Sequence, residues 1–481
     1  MQKEFHIQNI FDALNSSGKG VIGPLKDKCM HLQNRVIAMA KTGDIVAVST
    51  DCPEEFFNYI CKIKRVSNVT LLKFASEEST EDMSQQSISS YTIFELIEAF
   101  DPKLASKVKK SKPKLQPYMH SNSFYEAAEK HNWIHSSLAV PTDIIGQMND
   151  KTVLFQECTN KGIPFPKTKV VNKRNFLESI VGFLNEDNKN FLSNKLFIRQ
   201  ARSGGGLGNI TVEQINNKYF VHETRELLSL NDFIDRMNLF ADDSHSFQFV
   251  VSELLELYAS PGSLFYVDDF KTHIVAHTGQ ILTNKREFTG FMYPIRNSKI
   301  NKFIPIIEEY IEELTKEWRK KGFRGFGNID WMISRYNEKL YIAERNARQT
   351  AVVSPLNLLY SITQGNNIDT PDLPNLPLNI SVITQDSLHL HTPSPNAPSN
   401  SFESIKRKLK DSGLLFDETK GEGIIITIPP TLTYGPNQVG IMIVGKNPIR
   451  AINLLRNCSI VLEAEFLSPA TPVYWDDWSI L

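Results

Sequence analysis

The sequence predicts a multidomain fold that mixes the α/β and α+β classes. Three observations predict it. Strand-like and helix-like segments alternate between about residues 20 and 75; a glycine-rich turn and a pair of acidic strands occupy the middle of the chain; and strands and helices resume after residue 400, beyond a stretch crowded with prolines. The 481 residues, at roughly 150 per domain, correspond to about three domains. The expected division is 1–145, an α/β domain; 146–370, a central domain; 371–400, a proline-rich linker region; and 401–481, a small α+β domain.

In the first segment, Val46–Val48 reads as a short buried strand, Glu54–Phe57 opens a helix, and Val69–Leu72 is a second strand. Such alternation implies partly parallel pairing. Residues 76–90, rich in Ser, Glu and Gln, read as a loop. The lysines at 103, 107, 109, 110, 112 and 114 read as a solvated helix end closed by Pro113 and Pro117. In the centre, Thr152–Asn160 is a helix stopped by Gly162 and Pro164, and Leu196–Arg199 and Asn209–Val212 flank the glycine-rich turn. Phe247–Leu255 reads as a long apolar strand. Ile307, Tyr310, Ile311, Leu314 and Trp318 recur at helical spacing. Two strands follow, Phe326–Ser334 and Lys339–Glu344, turning near Asn337. Prolines 371, 374, 377, 393, 395 and 398 mark the linker, with a short strand between the two groups. The last domain reads as a helix Phe402–Lys410, strands Gly423–Ile428 and Val439–Val444, and a helix Pro448–Arg456.

Charge and cysteine usage bound the partners. Lys plus Arg number 53 against 54 Asp plus Glu, a balance that gives no reason to expect a nucleic-acid partner. Apolar runs stay too short for a membrane span, and Met1–His6 lacks the start of a signal peptide. Five dispersed cysteines, without metal spacing, predict reduced thiols and a cytoplasmic protein.

Three constellations carry chemistry. The run Arg202-Ser203-Gly204-Gly205-Gly206-Leu207-Gly208 joins two strands. Without Cβ atoms, several backbone N–H groups can converge on phosphate oxygens. No Gly-Lys-Ser/Thr follows and no helix opens on it, so it is neither a Walker A loop nor a dinucleotide fingerprint. Second, Asp330 and Glu344 each stand seven residues from Asn337. A hairpin centred there sets the two carboxylates opposite each other, with Asn346 on the same side. Opposed like charges in a sheet call for a cation between them, and two carboxylates with an amide oxygen suit Mg²⁺, with Mn²⁺ as an alternative. Third, in Glu344-Arg345-Asn346-Ala347-Arg348, Arg348 can reach a phosphate or carboxylate beside the metal, whereas Arg345 alternates away as a surface ion-pair partner.

Taken in order, these pieces resemble the ATP-grasp superfamily over residues 145–365: Lys151 opening a helix that ends in Gly162-Ile163-Pro164-Phe165-Pro166, the glycine hairpin, Val250–Glu256, the aspartate strand and Glu-x-Asn-x-Arg. The layout, with a preceding α/β domain and a compact C-terminal domain, also resembles pre-ATP-grasp peptide ligases of the pheganomycin-ligase type. The resemblance implies two α+β subdomains with ATP between them. It assigns Lys151 and Arg199 to the phosphates, Ser203, Gly204, Gly205 and Gly206 to a lid, and Glu253, Leu254, Leu255 and Glu256 to a hinge holding adenine and ribose. Asp330, Glu344 and Asn346 would hold Mg²⁺ and Arg348 would be catalytic. Arg199 stands where the family usually has lysine.

The activity so implied is joining a small carboxylate to an amine, an amino acid or peptide, through an acyl-phosphate, with release of ADP and phosphate. Arg286, beside Lys285, is a candidate for a substrate carboxylate; His222, His245, His273 and His277 have no metal or triad context. Ligation onto a protein acceptor, phosphoryl transfer without ligation and a non-catalytic nucleotide-binding module stay open alternatives. The C-terminal domain is expected to cover the site or to mediate a homodimer.

Overall fold

A computed structural model describes residues 3–14, 23–74, 88–133, 141–186, 195–202, 209–216, 218–243, 248–283, 286–364, 376–390, 400–431, 437–465 and 474–475. The expected loop over 76–87 lies outside these residues.

The first sheet contains β1 (Glu4–Ile7), β2 (Ile45–Ser49), β3 (Thr70–Phe74) and β4 (Lys114–Pro117) in the order β3-β2-β1-β4, all parallel. Every residue of β2 is buried, as an apolar run covered on both faces requires. Connections run from β1 outward to β3, and β4 then returns to the other side of β1. The switch point therefore lies between the carboxyl ends of β1 and β4, where open α/β sheets form a crevice. Tyr118 immediately follows β4 there. Part of the lysine cluster is the helix end expected: helix Pro102–Lys110 carries Lys107, Lys109 and Lys110 in its last turn, where cations suit the helix dipole, but Lys112 lies beyond the helix and Lys114 opens β4 instead.

The second sheet is antiparallel and holds β5 (Thr168–Asn172), β6 (Lys195–Gln200), β7 (Asn209–Ile215), β8 (Lys218–Val221), β9 (Glu226–Leu228) and β10 (Gln248–Glu253), in the order β5-β10-β6-β7-β8-β9. It has its own core, in which Phe176 and Phe249 meet with ring centroids 4.4 Å apart. The apolar strand ends at Glu253, earlier than its hydrophobicity suggests; Leu254–Glu256 lead out of this sheet toward the next.

The third sheet collects β11 (Leu257–Ala259), β12 (Pro261–Val267), β13 (Thr272–Leu282), β14 (Phe288–Tyr293), β15 (Gly325–Ser334), β16 (Leu340–Asn346), β17 (Ser381–Leu390), β18 (Gly423–Ile428), β19 (Gln438–Gly445) and β20 (Ala464–Glu465). Helix Ile304–Lys320 buries Ile307, Ile311, Leu314 and Trp318, the apolar stripe seen in the sequence.

Here the expected linker needs correction. The short strand foreseen between the proline groups is the ten-residue β17, which pairs with β14 on one side and β19 on the other. The prolines bound this strand instead of spacing two separate bodies, because Pro is excluded from a paired strand but not from its flanks. One sheet consequently runs from the central domain into the C-terminal segment. Among the described residues, no helix is long and apolar enough to cross a membrane.

Candidate active site at a bulged hairpin

The site is built on the β15–β16 hairpin. Near its turn, Ile333 pairs with Leu340 and Trp331 with Ile342, but farther in Asp330 pairs with Glu344 and Asn328 with Asn346. Ala343 is the extra residue of a β-bulge. Paired without a bulge, the same sequence would set Asp330 against Ala343 and turn Glu344 to the other face. The bulge also makes the Ala343 carbonyl an acceptor: Arg199 on β6 donates its Nη1 to that oxygen at 2.8 Å.

Asp330 Oδ1 accepts from Gln280 Nε2 and from Asn328 Nδ2, each at 2.6 Å, and Oδ2 accepts from Asn346 Nδ2 at 3.3 Å. Burial, and then the facing Glu344, push the Asp330 carboxyl up to about 7. Burial also penalises the charge on Glu344, but Lys151, Arg199 and Arg348 outweigh it and hold that carboxyl below its usual range. Lys151 Nζ lies 3.1 Å from Glu344 Oε1. Burial lowers the pKa of Lys151 and of Arg199, with Glu344 opposing in both cases. Three cations thus crowd one firmly ionised carboxylate. An anion such as a polyphosphate would relieve that excess, and a divalent cation would hold Asp330 ionised. The two carboxylates on one face are hard oxygen ligands and fit the metal expected; Asn346 turns its amide nitrogen to Asp330 and its oxygen to Arg348, so it would join them with the amide turned over.

Lys151 opens helix Lys151–Lys161, capped by Asp150, whose Oδ1 accepts from Thr152 N at 2.9 Å. Asp150 Oδ2 also accepts from Arg202 Nε at 2.8 Å. That bond ties the first residue of the glycine-rich run to the start of the lysine helix. Ser203, Gly204, Gly205 and Gly206 lie outside the described residues.

The expected hinge joins the second and third sheets. Glu253 Oε1 accepts from Lys167 N at 3.2 Å, Leu254 N donates to Lys195 O at 2.8 Å, and Glu256 O accepts from Arg335 N at 2.8 Å. Arg286, the candidate for a substrate carboxylate, is turned onto this hinge: its Nη2 donates to the Leu255 carbonyl, and burial lowers its pKa to about 10. The structure therefore does not bring it together with Asp330 and Glu344; Lys285 lies outside the described residues.

Arg348 sits where the first sheet meets the hairpin. Its Nη2 donates to Asn346 Oδ1 at 2.6 Å and its Nη1 to the Tyr118 hydroxyl at 2.9 Å. The Tyr118 ring lies 5.5 Å from the guanidinium of Arg348 and equally 5.5 Å from that of Arg35, and Arg35 pairs with Asp386 of β17 at 3.5 Å. Arg345 alternates away as expected but is not a surface residue. It is 1% exposed, donates to Glu157 Oε2 at 2.6 Å and stacks on Trp318, because the helix carrying Glu157 covers that face of the strand.

Sequence reasoning missed Gln280, Tyr118 and Arg35, and placed Asn328 on the Asp330 face without assigning it a part. Asn328 alone had a local signal, two residues before Asp330 on one strand face. The histidines take structural partners: His222 with Glu213 at 3.1 Å, His273 with Asp268 at 2.6 Å, and His277 with Ser263 at 2.9 Å; His245 lies outside the described residues. A second cluster, Glu4, His6 and Asp44, could offer metal ligands, but Lys41 and Lys114 already bring positive charge to Glu4, at 3.4 and 3.8 Å.

No protein-family model matches the chain, and no curated protein sequence does. Solved structures do match along its whole length. An ADP complex of N5-carboxyaminoimidazole ribonucleotide synthetase has a TM-score of 0.52 at 12% identity, covering 95% of this chain and 96% of the other. A biotin carboxylase–β-γ-ATP complex from Campylobacter jejuni gives 0.54 at 13%, covering 97% and 92%. The Aspergillus clavatus N5-carboxyaminoimidazole synthase with ADP and 5-aminoimidazole ribonucleotide gives 0.52 at 8%, covering 96% and 99%. The chain is similar to these in fold, and the fold is the mixed α/β, multidomain ATP-grasp architecture that the motif order implied.

Proposed function

We propose that the protein is an ATP- and Mg²⁺-dependent ligase that joins a small carboxylate to an amine through an acyl-phosphate. The observation that carries the reading is Asp330 facing Glu344 across the hairpin, with buried Lys151 and Arg199 and the half-buried Arg348 grouped around Glu344. The ATP and MgADP complexes of proteins with this fold support the choice of nucleotide and ion.

A carboxylate is a poor electrophile because its leaving group would be oxide. Attack of a carboxylate oxygen on the γ-phosphorus breaks the bond to the ADP oxygen and forms a mixed anhydride. An amine nitrogen then forms the C–N bond, the C–O bond to phosphate breaks, and the nitrogen gives up a proton. In this reading Lys151 and Arg199 bind the phosphates, while Arg348 holds the carboxylate and the transferring group together, its fork braced by Asn346 and Tyr118. Mg²⁺ held by Asp330, Glu344 and Asn346 would neutralise phosphate charge. The glycine-rich run at 203–208 would exclude water, which would otherwise hydrolyse the anhydride. The second substrate enters from the crevice at the carboxyl ends of β1 and β4, beside Tyr118 and Arg35.

We read the substrates as an amino acid or short peptide and the compartment as the cytoplasm; all five cysteines are free, which suits a reducing setting. The test is phosphate release from Mg-ATP against pools of amino acids and short peptides, followed by mass spectrometry. A product lighter by one water than its two substrates combined supports the reading. Phosphate released at the same rate with and without every pool contradicts it.

A further inference from the structure

We propose that Tyr474, close to the C-terminus, is a positioning residue for Asp330, acting through Gln280. The proposal rests on the reading of Asp330 and Glu344 as metal ligands.

Tyr474 is fully buried, and the partners of its hydroxyl, Ser260 and Gln280, lie 214 and 194 residues before it. Its hydroxyl accepts from Ser260 N at 2.9 Å and can donate its one proton to Gln280 O at 2.8 Å or to Ser260 O at 3.1 Å. Ser260 and Gln280 face each other at the end of the β12–β13 ladder, where Gln280 N donates to Ser260 O at 3.0 Å. The hydroxyl therefore clips together two backbones whose side chains set the carboxylate. Ser260 Oγ donates to Gln280 Oε1 at 2.8 Å, which fixes the amide so that Nε2 meets Asp330 Oδ1 at 2.6 Å. A flipped amide would set its oxygen against the Asp330 carboxylate and lose that bond, while Ser260 Oγ would turn its proton to the Trp331 carbonyl 3.1 Å away. With Oδ1 occupied by Gln280 and Asn328, Oδ2 is left as the oxygen for a cation, touched by Asn346 at 3.3 Å.

Two details indicate that the chain is shaped around this contact. A Cβ on Gly279 would stand 2.1 Å from the Tyr474 ring, so the glycine leaves the space that lets the ring reach Ser260 and Gln280. The chain is also anchored just after the phenol: Arg296 N donates to Tyr474 O at 2.9 Å, and Trp475 Nε1 donates to Pro294 O at 2.7 Å. Packing alone would be served by phenylalanine; only the hydroxyl reaches the Ser260–Gln280 pair.

The test is Mn²⁺ binding to the full-length protein in saturating ADP, read from the electron paramagnetic resonance signal of free Mn²⁺. Thermal unfolding and metal-free ADP binding are measured alongside. Tyr474→Phe keeps the ring, and Ser260→Ala and Gln280→Leu cut the relay at its other two points. Each should weaken Mn²⁺ about tenfold, the scale of loss for groups that orient metal ligands, with metal-free ADP binding within about twofold of the parent. Wild-type Mn²⁺ affinity in a folded Tyr474→Phe overturns the proposal, and so does wild-type affinity in both other variants. Parent protein that binds ADP but adds no Mn²⁺ site removes the metal reading itself, a different failure.

Discussion

Glu344 is the residue on which the electrostatics turn. Lys151 touches it and Arg199 and Arg348 stabilise its charge, so Glu344→Ala should leave three cations without their counter-charge and the metal without a ligand. The expected result is loss of ATP turnover with far-UV circular dichroism unchanged; full activity would contradict the assignment. Arg199 has a subtler part. One nitrogen of its guanidinium is spent on the Ala343 carbonyl and the fork keeps the others for phosphate, whereas a lysine would have to serve both from a single nitrogen. Arg199→Lys should therefore raise KM for ATP more than it lowers kcat. Arg345 belongs to stability: its side chain is buried under the hairpin while its partner Glu157 stays partly exposed, and Arg345→Ala should cost about 1.5–3 kcal/mol in urea unfolding.

At the scale of elements, the β15–β16 hairpin and its bulge decide the geometry. Counting from Asn337 sets Asp330 opposite Glu344, and the structure has that pairing for a reason the count does not contain. The turn pairs Ile333 with Leu340, half a residue off the assumed centre, and Ala343 restores the opposition. Deleting Ala343 should leave Glu344 opposite Asp330 in an unbulged register but remove the bulged carbonyl that holds Arg199; the expected readout is weaker ATP binding with a cooperative unfolding transition retained. Elements with strong period were legible: the helix Ile304–Lys320, the strands around the glycine-rich run, and β2 and β3 of the first sheet, whereas β1 and β4 were not. β17 was legible only in part, because its flanking prolines carried the signal of a linker while Val382 and Ile383 carried that of a strand. Gln280, Tyr118 and Tyr474 left no local mark, since their roles arise from contacts between segments that no spacing rule connects.

Across the whole molecule, contacts run from the end of the hairpin through Tyr118 and Arg35 to β17. Tyr118 braces Arg348, and Asp386 of β17 pairs with Arg35 on the far side of the junction. Burial pushes the Asp386 carboxyl up to about 6, against the pull of Arg35 and Lys28. The folded chain then binds that proton more tightly than the unfolded chain, whose Asp titrates near about 3.9. This group consequently removes stability as pH rises from about 4 to about 6, and adds no further slope above that. Asp386→Asn should lack that part of the decline when urea midpoints are compared across the range; parallel profiles would contradict the burial argument.

Carboxylate activation is the central claim, and isotope transfer tests it most directly. The protein is given Mg-ATP, an amine pool and carboxylates labelled with oxygen-18, and the released phosphate is weighed. Passage through an acyl-phosphate predicts one labelled oxygen in each phosphate, because the C–O bond breaks on the carboxylate side. Phosphate released without label would mean that water attacks ATP directly, and would contradict the ligase account.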